Sequence, residues 1–254
     1  MSTLLVDLGN TRVKWAKHTA RGLGRSRAAS HAGWGAAEFR DAVLAAPLSV
    51  SRLLLVSVAA ARPHKALLAA AAKQGIEVLQ VESSREAAGV TNGYREPWRL
   101  GADRWVALIG ARSLFPRSGP RRRPLCVVDI GTAMTIDLLD VAGQHRGGAI
   151  VPGPELMRTS LLRSTGGIAA RASGGTRRRK LAPFATDTDG ALVSGAAYSL
   201  AAAIDRAVLE AKPTLGARPD LVVTGGAAGD ILRLLRTRHR WVPDLVLRGL
   251  AQLA

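Results

Sequence analysis

The chain has 254 residues, of which 47% are apolar and 22% charged, with a formal net charge of +17. This length provides for a buried core in one large domain or two ordinary ones, and the composition excludes a wholly disordered chain. The cation excess makes nucleic-acid binding the first hypothesis, since Lys and Arg neutralise phosphate backbones. A single cysteine, Cys126, excludes an internal disulfide and a cysteine-rich zinc site, and it favours a cytoplasmic location.

The sequence predicts no membrane segment. Asp7 interrupts the apolar N-terminal run too early for a signal peptide. The longest apolar stretch, from Gly190 to Ile204, is shorter than the roughly 20 residues that cross a bilayer. We therefore expect a buried helix at this stretch.

Short apolar strands alternate with alanine-rich helices, a pattern that indicates an α/β fold. Strands are predicted at Leu4–Val6, Leu53–Val56, Val78–Val81, Leu125–Val128 and Leu221–Val223. Helices are predicted at Arg62–Gln74 and Gly190–Lys212. The proline-rich segment Pro116–Pro124 predicts a domain boundary, with one domain at residues 1–118 and the other at 119–254.

Both halves carry the same strand-turn-strand pattern. Leu5–Thr11 and Val127–Ala133 each place an acid, an apolar residue, a glycine and a small polar residue at the end of an apolar run. A second strand can follow each of them, at Val13–Ala16 and Met134–Leu139. The repeat predicts a duplicated domain with a cleft between the copies.

The turn from Asp7 to Lys14 is a candidate phosphate site. A carboxylate at a strand end can hold Mg²⁺ through water, Gly9 lets backbone approach a phosphate, and Lys14 supplies a cation. A plain β-hairpin turn also explains these residues. The matching segment from Asp129 to Thr132 favours the phosphate site, and the sequence contains no P-loop motif.

The segment from Asn92 to Arg104 is a second candidate site. Pro97 and Gly101 predict a loop, followed by a helix that starts near Asp103. Asp103 is either a helix-capping acid or a carboxylate that accepts a proton from a substrate hydroxyl. Arg104 is either an exposed helix cation or a clamp for a substrate carboxylate.

Three further segments suggest turns or caps. Gly147–Gly153 predicts a chain reversal before an amphipathic helix, and Thr224–Gly226 predicts a turn on which a flat ring can lie. Thr188 is predicted to cap the helix that follows it. The basic stretch Arg171–Lys180 is interpreted as a surface loop with solvated charge rather than a nucleic-acid contact.

Together these motifs resemble the type III pantothenate kinases, in the superfamily of sugar kinases, actin and heat-shock chaperones. The residues that carry the resemblance form five ordered motifs: Asp7-x-Gly9-Asn10-Thr11, Tyr94-x-x-Pro97-x-x-x-Gly101-x-Asp103-Arg104, Asp129-x-Gly131-Thr132-Ala133-x-Thr135-x-Asp137, Gly147-Gly148-x-Ile150-x-Pro152-Gly153 and Thr188-x-x-Ala191-Leu192-x-x-Gly195. The resemblance implies duplicated ribonuclease H-like (actin-like ATPase) domains with a nucleotide cleft between them. It also implies ATP-dependent phosphorylation of pantothenate on its 4′-hydroxyl, the first step of coenzyme A synthesis.

The same resemblance implies residue roles. Asp103 would be the general base, Asp7 would face Mg²⁺, and Asp129 would bind an activating K⁺ or NH₄⁺ ion. The ATP-binding residues would be Asp7, Leu8, Gly9, Asn10, Thr11, Arg12, Val13, Lys14 and Thr132. The pantothenate-binding residues would be Tyr94, Gly101, Ala102, Asp103, Arg104 and Thr188. The family further implies a homodimer with the substrate pocket near its interface.

Two alternatives to this function remain at the sequence level. The first is a basic regulatory or nucleic-acid-associated accessory factor that keeps the kinase fold. The presence of Asp7, Asp103, Arg104 and Asp129 favours the kinase, and an aromatic content of 4% disfavours stacking on single strands. The second is another kinase of the superfamily, acting on a sugar or a different acid. The motif from Tyr94 to Arg104 argues against this alternative.

Overall fold

The structure is a computed structural model, and it describes residues 2–44, 50–115, 122–172 and 181–254. Contacts divide the chain into two compact units. Unit 1 comprises Met1–Arg122, Ala142–His145 and Asp244–Ala254, and unit 2 comprises Arg123–Val141 and Arg146–Pro243.

The sequence-based division at residue 118 stays a prediction, and the compact units differ from it by placing the C-terminal residues in unit 1. Much of the expected linker, at residues 116–121, and of the basic loop, at residues 173–180, lies outside the described residues.

The described residues form strands and helices in alternation. The strands are β1 (Thr3–Leu8), β2 (Arg12–Thr19), β3 (Gly22–Leu23), β4 (Arg27–Ser30), β5 (Arg52–Ser57), β6 (Glu77–Gln80), β7 (Glu86–Ala87), β8 (Val90–Thr91), β9 (Leu125–Ile130), β10 (Ala133–Leu139), β11 (His145–Pro152), β12 (Asp220–Thr224) and β13 (His239–Trp241). The helices are α1 (Ala36–Phe39), α2 (Ala61–Lys73), α3 (Ala102–Ser113), α4 (Pro154–Ser164), α5 (Gly166–Ala169), α6 (Thr188–Leu215), α7 (Gly229–Leu232) and α8 (Leu245–Ala251). A π-helical turn at Arg40–Leu44 continues α1, and a 3₁₀ turn lies at Pro97–Arg99.

The two main sheets have the same topology. In unit 1 the strand order is β3-β2-β1-β5-β6, with β4 also paired to β2, and in unit 2 it is β11-β10-β9-β12-β13. The first long strand of each sheet runs antiparallel to the second and parallel to its other neighbour. The predicted duplication and the predicted strand-turn-strand units are therefore confirmed.

The central strands β1 and β9 are almost wholly apolar because elements cover both faces of each sheet. In unit 1 the core includes Leu4, Leu53, Phe39 and Leu67, contributed by strands and by helices α1 and α2. In unit 2 the strand residues pack against α6 through Leu200 and other apolar side chains. This burial holds the ends of β1 and β9, and thus the turns that follow them, in fixed positions.

The C-terminal helix α8 packs on α3 in unit 1 at very short backbone distance. A Cβ atom at Gly110 would lie 2.2 Å from the carbonyl oxygen of Leu245, and one at Gly249 would lie 1.9 Å from the carbonyl oxygen of Val106. Only glycine permits these approaches, because any side chain would overlap backbone atoms that cannot move aside. The crossing fixes the helix whose first turn carries Asp103.

Helix α6 confirms the predicted buried helix. Its side chains at Leu200, Ile204 and Val208 are buried in unit 2. Among the described residues it is the one helix long and apolar enough to cross a membrane by length and composition alone, and 44% of its apolar window is buried within the protein. The core helix of a soluble protein meets the same test.

Two local predictions are wrong. Thr188 does not cap α6: the cap is Asp187, whose side chain accepts a hydrogen bond of 2.8 Å from the backbone N–H of Gly190. Gly147–Gly153 is not a turn, because its residues through Pro152 belong to β11, which pairs with β10. Pairing with a neighbouring strand outweighs the weak strand propensity of the glycines.

Candidate active site

In unit 1 the turn between β1 and β2 is a closed hairpin. Leu8 and Val13 are register partners, and the N–H of Gly9 donates to the carbonyl oxygen of Arg12 at 3.0 Å. A Cβ atom at Gly9 would lie 3.3 Å from that oxygen, a tight approach. The Gly9 amide is therefore used to close the turn, and the residues between Gly9 and Val13 form its solvent-exposed tip.

Asp7 and Lys14 face one another across this hairpin. They are register partners on antiparallel strands, so their side chains lie on the same face of the sheet. Asp7 is buried and Lys14 is half-buried. The strand end thus combines a carboxylate and an ammonium group, which can act on a metal ion and on phosphate oxygens respectively.

His31 holds the turn through hydrogen bonds to its backbone, a role that the sequence analysis missed. Its buried ring lies with Nε2 2.8 Å from the carbonyl oxygen of Gly9, so Nε2 carries the proton and donates. The backbone N–H of His31 and the hydroxyl of Ser30 both donate to the carbonyl oxygen of Thr11, at 3.3 and 3.4 Å. These contacts span about twenty positions of sequence, which is why no local pattern reveals them.

Asp103 lies in the first turn of α3, where the helix dipole stabilises a negative charge. Its Oδ1 accepts from the backbone N–H of Arg104 at 2.7 Å, and the side chain stays partly accessible. A Cβ atom at Gly101 would lie 2.9 Å from that Oδ1. Glycine at this position therefore leaves room for the carboxylate.

Arg104 is buried, with 7% of its surface exposed, so its interpretation as an exposed helix cation is wrong. Its Nη1 donates to the hydroxyl of Tyr94 at 3.1 Å, and its guanidinium carbon lies 5.8 Å from the centre of the Tyr94 ring. The structure thus brings Tyr94, Gly101, Asp103 and Arg104 together. Arginine pairs readily with a carboxylate, which is the charged group of an acidic substrate.

The loop that carries Tyr94 is held by two residues that the sequence analysis did not assign. The guanidinium of Arg85 donates to the carbonyl oxygens of Tyr94 at 2.9 Å and Arg95 at 2.7 Å. The side-chain amide of Asn92 donates to the carbonyl oxygen of Pro97 at 3.1 Å, and its oxygen accepts from the N–H of Tyr94 at 3.0 Å. The loop conformation is therefore specified by these side-chain hydrogen bonds, of which those of the buried Asn92 are partly shielded from solvent.

Unit 2 repeats the hairpin with one residue fewer. Ile130 and Met134 are register partners, and the N–H of Gly131 donates to the carbonyl oxygen of Ala133 at 2.9 Å. The turn is packed closely by Gly153, whose N–H donates to the carbonyl oxygen of Thr132 at 2.9 Å. Thr132 is exposed at the tip and Asp129 is half-buried at the strand end.

Thr188 begins α6 and lies on a different element of unit 2 from Asp129 and Thr132. The predicted site residues therefore lie partly on unit 1, at the turn after β1 and at or just before the start of α3, and partly on unit 2, at the turn after β9 and at the start of α6. Within residues 2–44, 50–115, 122–172 and 181–254, no group of three or more His, Cys, Asp or Glu side chains could hold a metal ion. A divalent ion at Asp7 would rely on water and substrate oxygens, which suits Mg²⁺.

The two sheets share one topology, with six strands in unit 1 and five in unit 2 and a polar turn after each central strand, and this duplication defines an actin-like α/β fold. An activator of 2-hydroxyisocaproyl-CoA dehydratase from Clostridium difficile, solved with bound ADPNP, has a TM-score of 0.53 at 14% identity and covers 100% of this chain and 94% of its own. A Campylobacter jejuni protein described as a conserved Baf family transcriptional activator has a TM-score of 0.59 at 19% identity, covering 98% of this chain and 96% of its own. At these identities the likeness shows the fold alone.

The sequence relatives are more specific. The family model for type III pantothenate kinase matches residues 3–210. A type III pantothenate kinase from Azoarcus sp. (strain BH72) is 40% identical over 99% of this chain and 90% of the relative. Another from Paracidovorax citrulli (strain AAC00-1) is 35% identical over 100% of this chain and 98% of the relative. The chain belongs to the type III pantothenate kinase family, whose members use ATP and a divalent metal to phosphorylate pantothenate for coenzyme A synthesis.

Proposed function

We propose that Asp103 is the general base of pantothenate phosphorylation in this protein. The observation that supports this role is the partly accessible carboxylate of Asp103 in the first turn of α3. Its Oδ1 accepts a hydrogen bond from the backbone N–H of Arg104, and Gly101 has no side chain that would occupy the same space. As the 4′-oxygen of pantothenate forms its bond to the γ-phosphorus, its proton passes to Asp103 and ADP leaves. Phosphoryl transfer depends mainly on positioning and charge neutralisation, so one oriented carboxylate suffices.

Arg104 and Tyr94 bind pantothenate in this proposal. The hydrogen bond to the Tyr94 hydroxyl orients the buried Arg104 side chain, whose guanidinium pairs with the carboxylate of pantothenate. Gly101 and Ala102 line the same helix start, and Thr188 contributes from the first turn of α6. Restraining a guanidinium before substrate arrives lowers the entropy cost of binding.

ATP is bound by the turn from Asp7 to Lys14 and by Thr132. Lys14 neutralises phosphate oxygens, and Asp7 holds Mg²⁺ through water; when bound, the ion neutralises charge that develops on the phosphates. The backbone N–H of Gly9 already donates to Arg12 within the hairpin. The hydrogen-bond donors for the phosphates therefore come from the exposed residues Asn10, Thr11 and Arg12. Leu8 and Val13 frame the turn as register partners.

Asp129 binds the activating K⁺ or NH₄⁺ ion. The half-buried carboxylate lies near the end of the buried strand β9 and adjoins a turn with backbone carbonyls, the oxygen ligands that K⁺ accepts. A coupled assay of ADP release tests this function: we expect turnover that requires pantothenate and is many-fold faster in K⁺ or NH₄⁺ than in Na⁺. Equal rates in Na⁺ would refute the cation site, and absence of pantothenate-dependent turnover from folded protein would refute the assigned substrate.

The protein acts as a cytoplasmic homodimer without a membrane contact. Unit 2 exposes the apolar side chains of Ile150, Leu156, Leu161 and Phe184, the last with 92% of its surface exposed. Exposed apolar groups of this kind are typical of protein interfaces. Light scattering of the purified enzyme should give twice the chain mass of 26.7 kDa, and a monomer that is fully active would contradict the proposal.

The accessory-factor alternative has no specific structural observation in its favour. Ion pairs join several arginines to nearby acids, as for Arg52 with Glu77 and Arg248 with Asp244. Part of the arginine content is therefore paired locally on the surface. A salt-sensitive DNA or RNA gel shift at micromolar or tighter affinity would instead favour the alternative.

A further inference from the structure

Tyr94 has a second neighbour besides Arg104. The imidazole of His145 lies against its ring with centroids 5.8 Å apart and planes inclined by 18°. His145 belongs to unit 1 and has 1% of its surface exposed. The Tyr94 ring is thus supported by a fixed aromatic group, while its hydroxyl accepts from Arg104.

The segment that carries His145 is tied by its backbone to the strand just before the Tyr94 loop. The N–H of Thr91 donates to the carbonyl oxygen of Gly143 at 2.9 Å, and the side-chain amide of Gln144 donates to the carbonyl oxygen of Thr91 at 3.4 Å. Gly143 has φ +90°, and a Cβ atom there would lie 2.2 Å from the carbonyl oxygen of Gly89. The backbone of the segment from which the imidazole projects is therefore fixed.

The backbone of the Tyr94 loop packs directly against the backbone of the segment that carries His145. A Cβ atom at Gly93 would lie 2.1 Å from the carbonyl oxygen of His145. Arg85 holds the same loop by donating to the carbonyl oxygens of Tyr94 and Arg95. With the loop backbone held in this way, the remaining freedom of Tyr94 is the rotation of its side chain, and the contact with His145 restricts that rotation.

We propose that His145 is a positioning residue for pantothenate binding, acting through Tyr94 on Arg104. Its stacked ring keeps the Tyr94 hydroxyl where Arg104 can donate to it, and this contact orients the guanidinium of Arg104 for the substrate carboxylate. The inference rests on the proposed function of Tyr94 and Arg104 as pantothenate-binding residues. Because His145 acts on binding and not on the transferred proton, it affects the KM for pantothenate and leaves kcat nearly unchanged.

The test compares His145→Leu, which keeps apolar volume but removes the flat ring, with His145→Phe, which restores a ring that can stack. An aromatic pair contributes the equivalent of about two- to tenfold in affinity. We expect His145→Leu to raise the KM for pantothenate by about that factor, with kcat and the KM for ATP within about twofold of the parent. His145→Phe should return the KM for pantothenate to near the parent value. KM is independent of the fraction of enzyme that folds, so partial unfolding does not imitate this result.

Two further variants separate the possible failures. His18→Ala, at the end of β2 remote from the turn, is the matched control and should change neither KM. In the double variant Tyr94→Ala/His145→Leu, the KM for pantothenate should equal that of Tyr94→Ala alone, because His145 then has nothing to position.

If Tyr94→Ala raises the KM and His145→Leu does not, or if His145→Phe behaves like His145→Leu, the positioning role is refuted while the proposed site stands. If Tyr94→Ala itself leaves the KM for pantothenate unchanged, the proposed substrate site is refuted.

Discussion

The Asp103→Asn substitution isolates the chemical role of the proposed base. Asparagine has nearly the same shape, and its side-chain oxygen can still accept the hydrogen bond that Arg104 donates at 2.7 Å. The substitution removes the negative charge and the ability to take up a proton at neutral pH. The geometry of the helix start is therefore retained while the proposed function is lost.

The substitution has two expected effects, a large one on kcat and a small one on the free energy of unfolding. Loss of a general base lowers kcat by about 10²- to 10⁴-fold, equivalent to about 3–5 kcal/mol in the activation free energy. Loss of a charge in the first turn of α3 lowers the free energy of unfolding by only about 0.3–1 kcal/mol. For a chain of this size that corresponds to a fall in Tm of less than about 4 °C. Activity should therefore collapse in a protein that remains folded.

Steady-state kinetics by ADP release and thermal unfolding by circular dichroism measure the two quantities on the same preparation. Glu96→Gln is the matched control: it neutralises an exposed carboxylate of the preceding loop that pairs with Arg99, and kcat should stay within about twofold. A folded Asp103→Asn enzyme whose kcat lies within tenfold of the parent would refute Asp103 as the base.

Three other predictions concern unit 2. Asp129→Asn should raise the K⁺ concentration for half-maximal activation by about 10- to 100-fold, the equivalent of one charge-assisted contact, and an unchanged K⁺ titration would remove Asp129 from the cation site. Burial, with a smaller effect of the nearby Asp137 charge, raises the pKa of the Cys126 thiol to about 12. A thiol reagent at pH 8 should thus label Cys126 only after unfolding, and rapid labelling of the native protein would contradict this. Asp205 accepts two backbone N–H groups at 2.9 and 3.1 Å, so Asp205→Ala should lower the free energy of unfolding by about 1 kcal/mol in urea titrations at pH 7.

The same Asp205 contacts make a pH prediction. Burial raises the pKa of this carboxyl, but the hydrogen bonds it accepts outweigh burial and leave the pKa below its usual value. A lowered folded-state pKa contributes stability above the usual carboxyl range of about 4, and that contribution disappears as the pH falls through the folded pKa. The stability difference between the parent and Asp205→Ala should therefore shrink on acidification below about pH 4, and a difference that grows there would refute the assignment.

The parts of the fold that could be predicted from sequence are those that local patterns specify. The hairpin after β1 and its counterpart after β9 each depend on adjacent residues, so the acid-apolar-glycine pattern identifies both. By contrast, β11 contains two consecutive glycines and forms because β10 offers a pairing edge, which no local propensity indicates. Asp187 rather than Thr188 caps α6 because backbone geometry, not residue type alone, decides between neighbouring capping candidates.

The same distinction applies to the candidate site. Asp103 and Arg104 are adjacent in the sequence and stand out beside Gly101, whereas the burial of Arg104 depends on Tyr94 from a separate loop. His31 and His145 contact the site from distant positions, through a carbonyl oxygen and an aromatic face. Such supports have no spacing signature, so they become visible only when the chain is folded.

The crossing of α8 on α3 has a consequence for synthesis. The apolar face of α3 is covered by a helix that begins at Leu245, so a nascent chain that already includes all of the proposed catalytic motifs still lacks part of the unit 1 core. Until Leu245–Ala251 has left the ribosome and packed on α3, this face is exposed to chaperones and proteases. A stop codon shortly before Asp244 would therefore spare every motif of the site and still abolish the enzyme.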